Sequence, residues 1–459
     1  MANHSRDVSS NYLNKYHLLM KKAIILLLVF QFQSVISQKT FEQIIGEIPF
    51  YPDFGYYDSA EKKQGFSIQN ETQLLKRLKL PPLKNREYYI TGKYEINNLI
   101  VLFFSEYSVY ENIHFAILLD TSLNIIDRLE ETAYSNEEGF YGVNSWIDYN
   151  MLTVNIHNIY NNPEYVTKQY SITDRGFIPI KNQVIIKTPS GIRIRNKPTT
   201  NSAVIATAPN LEVFDYLSHD SEVDSTSVFD NGKYLKNRWL KIATKDSTQQ
   251  LGYVFGAFAK RHIEVTTNEY KVILDEISEE EFHKEKDKNK STPSIEKITA
   301  VKKIKSILKN QLIGAYDEDN SFIIKKIVAD NGKEFSGLYE EECEIMAYYP
   351  KYHYLLLECG HSSDYLIHLK NGEDDINRIG NPDYYLSSPQ YTFRLNGYYS
   401  GQSHVHFLEK NNKNAAPEYM FSISSLIQSD YLEAYFWKNN NTILLKAENM
   451  YYKIRLQKL

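Results

Sequence analysis

Short runs rich in apolar residues recur along much of the chain, and in some of them, such as 191–195 and 239–242, apolar and polar residues alternate as in half-buried β-strands. From residue 88 Asn, Asp, Gly and Ser separate these runs, which is typical of a β-meander. The same pattern returns from residue 321 and continues to the last strands, 442–446 and 451–456. We therefore predict a mainly all-β protein, with N-terminal candidate strands at 88–94, 99–106, 113–119, 124–129, 142–148, 152–156 and 166–172.

Two regions depart from the strand pattern or repeat it. Residues 266–295 lose apolar content and gain alternating charge, which predicts a solvated linker. After it, Ile298, Val301, Ile304 and Leu308 recur at helical spacing, so we expect one helix over 296–310. Separately, 117–129 and 367–379 share a strand, a polar turn and a similar ending. This echo fits repeated propeller-like hairpins or two unrelated hairpins.

The first residues resemble a secretory signal peptide. Lys21 and Lys22 precede an apolar run at 23–30, and small residues follow at 34–37. The apolar run is too short to span a bilayer. We predict a signal peptide over 1–37, with Met20 as an alternative start, and a periplasmic or secreted mature chain without a transmembrane span.

Length and charge limit the organisation and the partners. A chain of 459 residues is too long for one ordinary core. A net charge of −5 argues against nucleic acid as a partner. We expect an N-terminal β-rich domain at 39–180, a small central domain at 184–265, the linker and helix at 266–310, and a C-terminal β-rich domain at 311–459.

The central stretch 184–265 is a series of short strands and turns. Ile192 and Ile194 alternate with two arginines, and Pro198 follows in a polar turn. Later come the pieces Trp239-Leu240-Lys241-Ile242 and Gly252-Tyr253-Val254. In this order the pieces resemble a bacterial SH3 (SH3b) domain, with a long polar insertion at 217–236.

The resemblance implies a small β-barrel that binds cell-wall peptides or spaces other domains. Some of its rings must form the barrel's own core. Aromatic residues suit extended peptides because they bury area at little entropic cost. The candidate ligand-binding residues are Tyr216, Trp239, Tyr253, Phe255, Phe258, Arg193 and Arg195.

The two cysteines lie in runs that predict the strands of one hairpin around Pro350-Lys351-Tyr352. Counting outward from a three-residue loop places Cys343 opposite Cys359. Opposed residues come close enough for a bridge, and an exported chain meets an oxidising compartment. We predict a disulfide; two free thiols in a shifted register are the alternative.

The sequence shows no catalytic constellation. His404 and His406 share one face of a strand, but a catalytic zinc site needs a third protein ligand. His361 and Glu409 are the candidates, and neither is placed to serve. There is no G-x-S-x-G motif and no phosphate-binding glycine loop. We expect no metal, no cofactor and no catalytic residue.

These observations favour a non-enzymatic binding protein of the bacterial cell envelope, with peptidoglycan peptide or glycan as its ligand. Two alternatives remain open. One is a cell-wall polymer hydrolase whose active residues lie in the β domains. The other is a protein-protein inhibitor or immunity factor.

Overall fold

A computed structural model describes most of the chain after residue 40. It describes residues 41–48, 53–54, 66–68, 72–81, 86–96, 98–108, 111–135, 141–148, 150–158, 162–219, 226–243, 251–288, 295–338, 341–360, 362–412, 417–429 and 431–459. The predicted signal peptide lies outside these residues.

The described residues are mainly β-strands with a few short helices, which confirms the predicted fold class. None of the helices in this part of the chain is long and apolar enough to cross a bilayer. The described residues divide into two compact units, one within 41–135 and one within 141–459.

The first unit contains an antiparallel meander beside two short helices. Its strands β2 to β6 pair in chain order. Strands β4 and β5 carry continuous apolar runs that are buried on both faces. One of these faces forms a core in which the rings of Phe104 and Phe115 stack 5.0 Å apart. Its elements are α1 (Phe41–Glu47), β1 (Asp53–Phe54), β2 (Phe66–Ser67), α2 (Thr72–Arg77), β3 (Arg86–Ile96), β4 (Leu99–Ser108), β5 (Glu111–Asp120) and β6 (Ile125–Ser135).

The second unit begins with four antiparallel strands and continues into residues 184–265, which we call the SH3b-like stretch after the resemblance predicted from the sequence. The elements of this part are β7 (Tyr141–Asp148), β8 (Met151–Asn158), β9 (Asn162–Thr173), β10 (Gly176–Pro179), β11 (Lys181–Ile186), β12 (Ile192–Arg195), β13 (Val204–Ala208), β14 (Val213–His219), β15 (Thr226–Asp230), β16 (Lys233–Asn237), β17 (Trp239–Ala243), β18 (Leu251–Phe255), a 3₁₀ turn (Gly256–Phe258), β19 (Ala259–Thr266) and β20 (Tyr270–Ile277).

The remaining elements of the second unit are short strands, helices and turns. They are α3 (Glu279–Lys286), α4 (Val301–Leu308), a 3₁₀ turn (Lys309–Gln311), β21 (Leu312–Tyr316), β22 (Phe322–Val328), β23 (Glu334–Phe335), β24 (Glu344–Tyr349), β25 (Tyr354–Cys359), β26 (Ser363–His368), α5 (Ile376–Ile379), a 3₁₀ turn (Pro382–Tyr384), β27 (Leu386–Ser387), β28 (Phe393–Tyr399), β29 (His404–Lys410), β30 (Glu418–Ser422), α6 (Ile423–Ile427), β31 (Ala434–Asn439), β32 (Thr442–Ala447) and β33 (Met450–Lys458).

The strands of the SH3b-like stretch belong to an eleven-stranded sheet. Its order is β13-β12-β18-β17-β14-β11-β19-β20-β33-β32-β31, so in the described residues the ladder is open and ends at β13 and β31. The stretch has its own apolar core, which includes Val184, Ile194, Phe214 and Ile242. The strands of the central stretch and the last strands of the chain thus belong to one sheet.

The stretch 266–310 contains more regular structure than the predicted solvated linker. Strand β20 lies inside the large sheet, and Val272 and Leu274 are buried because they alternate toward the core. The predicted helix exists but is shorter than 296–310. It is α4, whose Ile304 and Leu308 are buried.

The two echoed segments have different structures. Residues 117–129 form the β5–β6 hairpin, whereas 367–379 run from the end of β26 into helix α5. Because the second segment is not a hairpin, both interpretations, repeated propeller-like hairpins and two unrelated hairpins, are wrong. Asp375 caps α5 by accepting a hydrogen bond from the Asn377 amide, which explains why the second segment ends as a helix.

Candidate functional site

One face of strands β7, β8 and β9 carries a set of polar side chains around a tryptophan. Trp146 lies opposite Thr153 on β8, and Thr153 lies opposite Gln169 on β9. Because side chains alternate along a strand, the residues two positions away share this face. Intervening residues such as Val154 are buried on the other side. The set is Trp146, Asp148, Thr153, Asn155, Thr167 and Gln169.

The C-terminal half of the chain supplies the facing wall. It comes from the β28–β29 hairpin, the end of β30, helix α6 and the residues after that helix. Ser422 caps α6, since its side chain accepts a hydrogen bond from the Ser425 amide. The lining residues of this wall are Tyr398, Ser403, His404, Val405, Ser422, Ser424, Ser425, Gln428 and Ser429.

A buried arginine positions the end of helix α6. Arg261 donates hydrogen bonds to the carbonyl oxygens of Leu426, at 3.0 Å, and Ile427, at 3.3 Å. Its guanidinium also lies 4.3 Å from the centroid of the Tyr216 ring. A cation at a helix C-terminus interacts favourably with the partial negative charge there. Arg261 therefore connects the core of the SH3b-like stretch to the wall that carries Gln428.

The two walls contact each other and border a half-open pocket of about 410 Å³. Ser425 donates a hydrogen bond to the Asp148 carboxylate, and Asn150 donates one to the Met420 carbonyl. Met151, at the start of β8, is fully buried in the same apolar cluster as strands β28 to β33. The walls thus share a core, and the pocket is a preformed feature of the second unit.

The pocket lining is polar and nearly uncharged. Hydroxyl and amide groups predominate, and these can both donate and accept hydrogen bonds. Among the described residues that line it, Asp148 is the one carboxylate, and there is no lysine or arginine. Ligand pockets are usually mostly apolar. This lining instead suits a ligand with many neutral polar groups.

Two histidines connect the pocket to an aromatic cluster behind it. Nδ1 of His404 lies 2.8 Å from the Tyr384 hydroxyl. Burial, followed by the Asp364 carboxylate, raises the pKa of Tyr384, so its phenol stays protonated. His406 is 1% exposed, and its Nδ1 has no hydrogen-bond partner among the described residues. Burial, and then His404, lowers the pKa of His406 to about 3.

In the part of the chain that the structure describes, His404 and His406 do not lie in a cluster of metal ligands. Within the described residues, no group of three or more His, Cys, Asp or Glu side chains could hold a metal ion. Glu409 instead accepts a hydrogen bond from Nε of Arg394 at 2.7 Å. His361 lies outside the described residues.

The aromatic residues predicted to bind ligand in the SH3b-like stretch divide into two groups. Tyr216, Trp239 and Phe255 are at most 5% exposed, because they pack within the protein. Tyr253 and Phe258 are partly exposed. The ring of Phe258 contacts that of Phe255, with centroids 6.0 Å apart.

The two arginines predicted to bind ligand lie on strand β12. Arg193 is exposed, and Arg195 is partly exposed opposite Tyr253. Nη1 of Arg195 donates a hydrogen bond to the Ser202 carbonyl at 2.6 Å. A peptide-binding role for the accessible members of this set stays a prediction.

The predicted disulfide between Cys343 and Cys359 is confirmed, with Cα atoms 4.0 Å apart. The pairing of the two strands near the loop differs from the predicted pairing, although the register at the cysteines is the same. Tyr349 pairs with Tyr354, not His353, so the loop is one residue longer than expected. A bulge between Ile345 and Ala347 then shifts the register back by one residue.

Sequence reasoning missed the polar pocket, although it identified the three strands that form its first wall. The available signal was the alternation W-x-D, T-x-N and T-x-Q at 146–148, 153–155 and 167–169. In each strand an aromatic or polar residue is followed two positions later by another. This pattern predicts a polar face, but it does not show that a second wall covers it.

Comparisons with known proteins do not identify the site, so its interpretation depends on its geometry. No protein-family model matches the chain, and searches of curated proteins and solved structures found no significant match.

Proposed function

We propose that the protein is a non-enzymatic glycan-binding protein of the cell envelope, and that the pocket holds a neutral saccharide. The observation that carries this proposal is the polar face of β7 to β9, where Trp146 lies among hydroxyl and amide side chains. An aromatic ring covers the apolar face of a sugar, and hydroxyl and amide groups match its many hydroxyls.

Charge supports a neutral ligand. Carboxylate and phosphate ligands are usually held by arginine or lysine, and the described pocket lining has neither. A positively charged ligand would have Asp148 as its one carboxylate partner, and Ser425 already donates to that group. Uncharged glycan therefore fits better than the peptide part of peptidoglycan.

The same lining favours binding over hydrolysis. Most glycosidases use two carboxyl groups on either side of the bond that is cleaved. Of the described lining residues, Asp148 alone offers one. The disulfide agrees with an exported protein, because such bonds persist in oxidising compartments.

The proposal is tested by retention on purified peptidoglycan, chitin and cellulose. Wild-type protein should be retained on at least one of them, and Trp146→Ala should lose retention while Trp146→Phe keeps part of it. Lys168→Ala is the matched control, because Lys168 is exposed between Thr167 and Gln169 on the other face of β9. Equal retention of wild type and Trp146→Ala would exclude this pocket, and release of soluble fragments would favour the hydrolase.

A further inference from the structure

An exposed tyrosine continues the aromatic surface beyond the pocket. The ring of Tyr431 lies against that of His404, with centroids 5.0 Å apart and planes tilted by 55°. His404 itself lines the pocket. Tyr431 is 50% exposed, so much of its ring remains accessible while the ring is in contact with a pocket residue.

The backbone of Tyr431 is tied to the pocket wall. Its amide donates a hydrogen bond to the Ser429 hydroxyl at 3.4 Å, and that hydroxyl donates to the Tyr431 carbonyl at 3.2 Å. Ser429 lines the pocket. The position of the ring is therefore coupled to the wall, which distinguishes Tyr431 from a tyrosine on an independent loop.

His404 is held from a second side by its own neighbours. Its ring lies 4.8 Å from that of Tyr399, and its Nδ1 contacts the Tyr384 hydroxyl. Because these contacts fix the imidazole, it also restrains the Tyr431 ring that packs against it. A rigid, half-exposed ring can bind a flat apolar surface at little entropic cost.

We propose that Tyr431 forms a second saccharide subsite next to the pocket, so that the ligand is an oligosaccharide and not a single sugar. One sugar unit occupies the pocket, and the next unit packs on the exposed face of Tyr431. This inference rests on the proposed glycan-binding function. The occupant is a continuation of the chain already bound, because the ring adjoins the pocket through His404.

The test is isothermal titration calorimetry with N-acetylglucosamine oligomers and cello-oligosaccharides of one to six units. In at least one series, affinity for longer oligomers should exceed that for the monosaccharide by about tenfold, the value of one well-packed ring. Tyr431→Ala should remove this gain and leave monosaccharide affinity unchanged, and Tyr431→Phe should keep the gain. Tyr391→Ala is the control, since Tyr391 is also a highly exposed tyrosine and is not among the pocket residues.

The outcomes separate the subsite from the pocket. If binding depends on Trp146 but affinity does not rise with length, or if Tyr431→Ala keeps the gain, the subsite is excluded and the pocket stands. If no oligomer binds the wild-type protein, both the proposed glycan function and the subsite are overturned.

Discussion

We expect acidification to lower the unfolding free energy of the protein, and we expect the replacement of His406 with phenylalanine to make this loss smaller. The His406 side chain is 1% exposed, and burial lowers its pKa to about 3. In the unfolded chain a histidine has a pKa of about 6.5. Between these values the unfolded state binds a proton that the folded state does not. Acidification therefore favours unfolding, and stability is lost as the pH falls below about 6.5.

The size of the effect follows from the two pKa values. At pH 7 this histidine is mostly neutral in both the folded and the unfolded state, so it lowers the unfolding free energy only slightly. At pH 5 the unfolded histidine is largely protonated while His406 in the folded protein is not. Linkage then removes about 2 kcal/mol of unfolding free energy between pH 7 and pH 5. Phenylalanine keeps a planar ring of similar shape but cannot titrate.

The assay is urea denaturation of wild type and His406→Phe at pH 7 and pH 5. Wild type should lose about 2 kcal/mol more than the variant over this interval, and titrating groups that do not interact with His406 cancel in the comparison. Leu408→Ala is the control on the same strand. It removes a fully buried side chain, so it should lower stability by a similar amount at both pH values. Equal losses for wild type and His406→Phe would show that His406 does not cause the loss of stability in acid.

Two further predictions concern the ion pair and the disulfide of the C-terminal half. Arg394→Met should lower the unfolding free energy by about 3–5 kcal/mol, because it leaves the Glu409 carboxylate buried and unpaired. The double variant with Glu409→Leu should recover part of the loss; no recovery in urea denaturation would contradict this. Replacing Cys343 and Cys359 with alanine should cost about 3 kcal/mol for a separation of 16 residues. Unchanged unfolding free energy would contradict that value.

The strand pattern predicted much of the fold because it depends on local alternation. The candidates 142–148, 152–156 and 166–172 correspond to β7, β8 and β9 within a few residues at each end. Strand β20 was missed because Glu276 and neighbouring charges resemble a linker. In the sheet that carboxylate is buried and forms an ion pair with Lys260 at 2.7 Å.

The pocket could not be predicted because its walls come from distant parts of the sequence. Asp148 and Ser425 are in contact across 277 positions. No local periodicity encodes such a pairing. The sequence also could not show which aromatic residues are accessible. Trp239 and Tyr431 are both aromatic, but their side chains are 2% and 50% exposed.

Binding to an array of neutral and acidic glycans shows whether the pocket holds uncharged sugars. We expect wild-type protein to bind neutral oligosaccharides and not to bind acidic glycans without a neutral stretch, and we expect Trp146→Ala to lose the signal while Lys168→Ala keeps it. Binding confined to acidic glycans, binding that survives Trp146→Ala, or no binding to any glycan would overturn the proposed function.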